Sequence, residues 1–265
     1  MSQAFLDETV ESNEQFVGMW SEFARRFPGS RVESHPGMVV AISGTPMSFV
    51  NVIVFSTPIR DRDDLVERCE RAKRIGAESG VPWLLSTCNA WMGDPEVAKS
   101  TLAELGFATV LPTVGMVTDA LLPPAKPLPE GLTFKRVSEE ETRNALVDLN
   151  TISYGIPQEI GRAGPARVCF WDDSFHGYVA YLHGEPVSAT VTAPLEGRLY
   201  VSWVATHPEH RRKGYADAVM RRSLESAREA TGLTRTVLHA TPAGQPVYEA
   251  MGYRPIVGFT WYAAG

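Results

Sequence analysis

The sequence predicts a mixed α/β (α+β) protein of two domains, and three observations carry that prediction. At 265 residues, 44% of them hydrophobic, the chain is long enough for two domains of ordinary size with real cores. Runs with strand alternation are interleaved with runs at helical spacing along the chain. Between them, LLPPAKPLPEG (Leu121 to Gly131) carries Pro123, Pro124, Pro127 and Pro129, which deny helix and favour a stiff extended connector. The expected boundaries are a first domain over 1–121, a linker over 122–131 and a second domain over 132–265.

After the linker, LTFKRVS reads as a strand, and Ser138 with Glu141 forms a Ser-x-x-Glu capping pattern that starts a helix through about Leu149. ISYGIPQEIGRAGPAR, rich in Gly and Pro, reads as a loop. GYVAYLHGEPVSATVTAPLEGRLYVSWVAT gives three alternating runs broken at His183-Gly184 and Glu196-Gly197, the pattern of a three-stranded meander. A basic turn follows, and then Ala216, Met220, Leu224 and Ala227 recur at helical spacing until Gly232. Arg221, Arg222, Glu225, Arg228 and Glu229 take the outward positions, with opposite charges three or four apart. RTVLHAT is another strand, QPVYEAMGY a short helix stopped at Gly252, and RPIVGFTWYA a last strand or strand pair.

The first half is a faint copy of the second. SFVNVIVFST lies on RLYVSWVAT, VPWLLST on RTVLHAT, and AELGFATVLPTVGMV on EAMGYRPIVGFTW, while Leu65, Cys69, Ala72 and Gly76 give a matching helix face. The copies differ where the second reads THPEHRRKGYADAV. There the first reads STPIRDRDDLV, with Asp61, Asp63 and Asp64 and no glycine, a turn that repels anions.

The formal net charge of -6 argues against a general nucleic-acid or anionic-membrane binder, so the basic turn is a local feature. Cys69, Cys88 and Cys169 are odd in number and lack CxxC spacing, and no Asn begins a glycosylation sequon, which fits a reduced cytoplasm. The acidic N-terminal MSQAFLDETVESNEQ has no apolar run, and no segment approaches the roughly 18 uninterrupted apolar residues of a membrane span. The six histidines show no metal-ligand spacing, so no metal is expected. Cys169 with His176 is a conceivable nucleophile pair without a third orienting group, against the commoner fate of an inert buried thiol.

The basic turn is the informative stretch. A helix N-terminus exposes backbone N–H groups and carries partial positive charge, so a loop wrapping them round a phosphate gains several hydrogen bonds at once. In RRKGYA the small Gly214 and Ala216 let the backbone approach, and Arg211, Arg212 and Lys213 add positive charge. The bland alternative is a basic, solvated strand-to-helix connection.

With these residues in hand, Leu199 to Tyr253 resembles the acyl-CoA-binding core of the GNAT N-acetyltransferase superfamily. Its Gln/Arg-x-x-Gly-x-Gly/Ala signature is matched by Arg211, Gly214 and Ala216, preceded by His207-Pro208 and followed by VYEAMGY. The resemblance extends from about Leu132 to the C-terminus and, more weakly, to the first half. It implies two GNAT-like domains, each a central mixed, mostly antiparallel twisted sheet flanked by helices. It also implies a bulged strand, YVSWVAT, that splays from its neighbour to leave a slot for pantetheine. Val204, Ala205 and Thr206 would then offer backbone groups to pantetheine and the thioester, and the N–H groups of Arg212, Lys213, Gly214, Tyr215 and Ala216 would hold the pyrophosphate. Trp203 and Val201 are expected to face the core.

Acetyl transfer needs a neutral amine, a donor to the carbonyl oxygen and a proton for the departing thiolate. By resemblance Tyr248 is the acid; the alternative is an aromatic that packs its helix on the sheet. Two departures are visible. Where several family members carry a basic Glu this chain has Tyr200 and Ser202, leaving water or an acid such as Glu159, Asp172 or Asp173 to take the proton. Where an Asn is frequent, Thr241 stands, with fewer donors for the cofactor. The expected cosubstrate is acetyl-CoA and the expected acceptor a primary amine of a small molecule or peptide, with no nucleic-acid or membrane partner. A non-catalytic acyl-CoA-binding module and an acyltransferase with a different donor remain as alternatives.

Overall fold

The computed structural model describes residues 3–265 and opens on α1 (Gln3–Arg25), a helix for which no capping pattern speaks in the sequence. Its inner face is Phe16, Met19 and Phe23, spaced three and four apart and each at most 1% exposed. Trp20 stacks on Phe16 at 4.3 Å and donates Nε1–H to the Phe49 carbonyl at 2.8 Å. Burying one such ring contributes about 1.5–3 kcal/mol.

Next come β1 (Arg31–His35), β2 (Met38–Ile42) and β3 (Asn51–Phe55), an antiparallel meander in unbroken register. Helix α2 (Arg62–Ser79) crosses to β4 (Leu84–Cys88), which pairs parallel with β3, and α3 (Pro95–Glu104) leads into β5 (Phe107–Thr118). β3 alternates between two cores: Ile53 and Phe55 pack with Leu65, Cys69 and Leu102, while Val52 and Val54 pack with Phe16. A strand so covered is buried along its whole length.

The second half contains β6 (Leu132–Arg136), α4 (Glu140–Tyr154), α5 (Gln158–Arg162), β7 (His176–Leu182), β8 (Glu185–Leu195), β9 (Arg198–Thr206), α6 (Tyr215–Thr231), β10 (Thr236–Ala240), α7 (Gln245–Ala250) and β11 (Arg254–Ala264). The meander β7-β8-β9 turns at His183-Gly184 and Glu196-Gly197, each pair with φ positive at both residues, the two-residue turn that matches strand twist. From its first meander strand onward each half runs strand, strand, strand, helix, strand, helix, strand.

Two compact units result. One holds residues up to Met116 together with His239–Ala243 and Pro255–Gly265; the other holds Val117–Leu238 and Gly244–Arg254. The first carries the strand order β1-β2-β3-β4-β11-β5, so the last strand of the chain lies in the sheet of the first half, antiparallel to β4 from Phe259↔Cys88 to Tyr262↔Leu85. The second carries β10-β9-β8-β7-β6, antiparallel except for the parallel pair β9–β10. Helices α4 and α6 both pack on β8, whose residues from Val187 to Ala193 are all buried. Each unit is thus a mixed, mostly antiparallel sheet flanked by helices. No described helix is long and apolar enough to cross a membrane.

Local differences from the sequence expectations have local causes. The capping box does not form: α4 begins after Glu139, Thr142 Oγ1 accepts from Ser138 N at 3.1 Å, and Glu141 pairs outward with Lys135 at 3.0 Å. The same helix runs past Leu149 to Tyr154 and stops at Gly155 in the left-handed region. The Gly/Pro-rich segment after it contains the short α5, and RPIVGFTWYA is one continuous strand.

Candidate active site

Strand β9 carries an irregularity. Ala189 on β8 faces Ala205, but two residues further along β8, Val191 faces Ser202, three residues back on β9. The extra residue makes a β-bulge. Trp203 sits there with φ 53°, a left-handed conformation that a tryptophan side chain disfavours. Its ring lies edge-on to Phe170 at 5.8 Å, and Val201 is buried at 2% exposure. On its other edge β9 pairs with β10 only from Leu199 to Val201, opposite Thr236 to Leu238, and the strand then runs on to Thr206 beyond the ladder.

Side chains from neighbouring elements hold the bulged stretch. Asn150 Nδ2 donates to the Trp203 carbonyl at 3.1 Å, Ser188 Oγ to that of Ala205 at 2.9 Å, and Ser153 Oγ to that of Thr206 at 3.4 Å. Motif spacing in the sequence singles out none of these three. An Asn late in an amphipathic helix, at a position that otherwise faces inward, is the one signal that marks Asn150.

After β9 the chain makes a single 3-10 turn at Pro208–His210 and enters α6 through Arg212 at φ 63° and Gly214 at φ 88°. Left-handed residues alternating with right-handed ones turn backbone N–H groups toward one side, as anion nests do, and Arg212 and Gly214 supply two left-handed positions here. Gly214 is the N-cap and offers no side chain to the first turn; the earliest N–H of α6 to reach a carbonyl is that of Ala218, to Gly214 O at 3.1 Å. Arg211, Arg212 and Lys213 are exposed around the turn, Arg211 Nε held by Thr206 O at 3.3 Å and Lys213 Nζ by Glu209 O at 3.2 Å. The one acid in the first turn of α6, Asp217, is neutralised by Arg221, whose Nε lies 3.0 and 3.1 Å from its two oxygens. Three uncapped N–H groups meeting a charged oxygen would each contribute about 1.5–3 kcal/mol.

Tyr248 lies on α7 and is 7% exposed. Its ring occupies the space over Gly244, where a Cβ would come within 2.9 Å of Cε2 and 3.3 Å of the hydroxyl. Burial, aided by the neighbouring phenols of Tyr154 and Tyr253, holds its pKa well above the usual phenol value of 10.0, so Tyr248 stays protonated. Val204 through Ala216 and Tyr248 all fall in the second unit, whereas Thr241 lies in His239–Ala243, which groups with the first.

The corresponding turn of the first unit is filled by its own side chains. Asp61 caps α2 by accepting from Asp64 N at 2.8 Å, and Asp64 accepts from Arg60 N at 3.0 Å. Arg68, 5% exposed, pairs with Asp64 at 2.7 Å and donates to the carbonyls of Gly37, Thr57 and Pro58 at 2.9 to 3.0 Å. The position matching Tyr248, four residues before the glycine, is Leu102, 1% exposed.

The remaining sequence candidates are engaged elsewhere. Asp172 caps its own turn by accepting from Ser174 N and Oγ at 2.9 and 2.5 Å, and Glu159 and Asp173 are exposed. His176 Nδ1 bonds Ser226 Oγ at 2.9 Å, on α6. Burial pushes the Cys69 and Cys88 thiols up to about 12 and about 11, inert at neutral pH. Among the described residues no cluster of side chains could hold a metal ion.

Residues 143–253 match the family described as Acetyltransferase (GNAT) family. No curated protein matches the chain. Among solved structures, a GCN5-related N-acetyltransferase from Kribbella flavida superposes with a TM-score of 0.68 at 19% identity, over 94% of each chain. One from Sphaerobacter thermophilus gives 0.57 at 15% identity, over 85% of this chain and 75% of that one. A tandem GNAT protein from the clavulanic acid biosynthesis pathway gives 0.53 at 14% identity, over 97% of this chain and 95% of that one. At such identities the likeness is one of fold. The family match spans the bulged strand, the glycine turn and the tyrosine helix, so residues 143–253 match a GNAT acetyltransferase domain, and that match supports an acyltransferase.

Proposed function

We propose that the protein transfers an acetyl group from acetyl-CoA to a primary amine of a small molecule or peptide, and that one acetyl-CoA binds per chain, in the second half. The observation that carries this reading is the continuity of strand, turn and helix: a bulged β9 that outruns its ladder with β10, leading directly into an uncapped, doubly left-handed helix entrance. The backbone of Val204, Ala205 and Thr206 suits the pantetheine and thioester, and the N–H groups from Arg212 to Ala216, with Arg211 and Lys213 beside them, suit the pyrophosphate.

In the proposed reaction the amine lone pair attacks the acetyl carbonyl carbon. The C–N bond forms, the C–S bond breaks, Tyr248 gives its phenolic proton to the leaving sulfur, and the surplus amine proton passes to water. Tyr248 then recovers a proton from solvent. The burial that raises the phenol raises the proton affinity of a thiolate in the same surroundings, so the two stay matched. The first half is a degenerate copy whose turn holds the Asp64–Arg68 pair in place of a ligand anion, a role that fits a scaffold rather than a second catalytic centre. Three free cysteines, two of them buried, accord with a cytoplasmic protein.

Calorimetric titration with acetyl-CoA tests the reading: one site per chain is expected, and two sites, or none, would overturn it. A panel of acyl donors, followed by thiol release, separates acetyl transfer from transfer of a longer chain.

A further inference from the structure

We propose that Asn150 is a positioning residue for the acyl-transfer site: from α4 it sets the bulge of β9, and with it the backbone that faces the thioester. The inference rests on the functional reading above, but its evidence is independent of that reading. Asn150 is 3% exposed and both protons of its amide nitrogen are engaged, one on the Leu146 carbonyl of its own helix at 2.9 Å and one on the Trp203 carbonyl at 3.1 Å. Trp203 is the residue in the left-handed region, and a bulky side chain stays there only when its surroundings over-determine it.

One turn later on the same helix, Ser153 Oγ donates to the Thr206 carbonyl at 3.4 Å. The last turn of α4 thus holds β9 on both sides of Val204–Ala205. The carbonyl of Ala205 is taken from the other direction by Ser188 Oγ at 2.9 Å. From α4 a side chain reaches the carbonyl of the strained residue itself.

Without the amide, Trp203 loses the bond that offsets its left-handed conformation. The extra residue of the bulge can then relax, and the N–H groups beyond it turn away from the acyl carbonyl. The pyrophosphate turn, held by its own backbone at Arg212 and Gly214, does not depend on Asn150. The expected signature is therefore loss of turnover with cofactor affinity retained, the opposite of what damage to the turn would give.

Asn150→Leu keeps the volume and removes the donor; Asn150→Asp replaces it with an acceptor facing two carbonyls. Thiol release from acetyl-CoA is followed with a panel of amino acids, polyamines and aminoglycosides, CoA affinity is measured by calorimetry, and hydrogen exchange is followed over 202–206. Both variants are expected to lower kcat about ten-fold, to leave CoA affinity within two-fold, and to speed exchange at Val204–Thr206 about ten-fold. Ser153→Ala, which removes a longer bond and spares the core, is expected to give the same pattern at two- to three-fold and decides the matter if the Asn150 variants fail to fold. A lowered melting point with unchanged kcat and unchanged exchange would overturn the proposal. If the unaltered chain binds no CoA, the functional reading has failed, and the exchange measurement alone then decides whether Asn150 holds the bulge.

Discussion

Gly214 and Tyr248 make the functional reading testable one side chain at a time. A Cβ at residue 214 would meet nothing within 4 Å, so Gly214→Glu should fold; its cost is the left-handed φ of 88° and a carboxylate at the mouth of the nest. CoA affinity is expected to fall at least a hundred-fold in calorimetry, with the melting point lowered by no more than a few degrees. Tyr248→Phe removes one oxygen, and is expected to slow thiol release ten- to a hundred-fold while CoA affinity holds within two-fold. Because burial raises the Tyr248 pKa above 10.0, the proposed acid keeps its proton at pH values where acceptor amines begin to lose theirs. The rate should climb with pH as the acceptor amine becomes neutral and should not turn down below about pH 10; a fall near neutral pH would remove Tyr248 from the role. At this scale the sequence was partly legible. Glycine stands out because few other residues tolerate the turn, whereas the left-handed Trp203 is invisible, since a tryptophan in a strand pattern announces ordinary alternation.

Among the elements, the contrast between the two strand-to-helix turns is the sharpest. Burial of Asp64 works to raise its pKa, but hydrogen bonds from Arg68 and from the backbone and side chain of Arg60 outweigh it and bring the value from 3.8 to about 2. A depressed carboxyl pKa adds stability above its unfolded value and loses it as pH falls through the folded one, so this turn contributes about 2 kcal/mol above pH 4 and loses it between pH 4 and 2. Arg68→Met leaves Asp64 buried with one partner fewer and takes the arginine donor from the carbonyls of Thr57 and Pro58, while the Gly37 carbonyl keeps the Ser56 N–H at 3.0 Å. It is expected to destabilise the first unit by about 3 kcal/mol at pH 7 in urea unfolding, with the gap from the unaltered chain closing as pH falls below 4. Acidic residues and the missing glycine already marked this turn as hostile to anions. The buried arginine that fills it was not legible, because an Arg at an i+4 position from an acid in a helix ordinarily signals an exposed pair.

For the molecule as a whole, the order of elements was readable from periodicity and turn residues, but the placement of β11 was not. Alternation shows that RPIVGFTWYA is a strand; it carries nothing about which sheet receives it, and the receiving strand β4 ends at Cys88, far away in sequence. Phe259 and Trp261, at 0% and 3% exposure, pack against Phe16 with ring centroids at 5.2 and 5.3 Å, and Trp261 also meets Trp20 at 5.3 Å. A chain ending at Arg254 is therefore expected to lose the fold of its N-terminal unit, read as rapid proteolysis between α1 and β5, and residues 132–265 made alone should aggregate through the uncovered face of β11. The same arrangement sets a timetable. During synthesis the first unit stays incomplete until β11, which follows the whole second unit in sequence, has left the ribosome, so a product stopped before β11 leaves β4 without that partner.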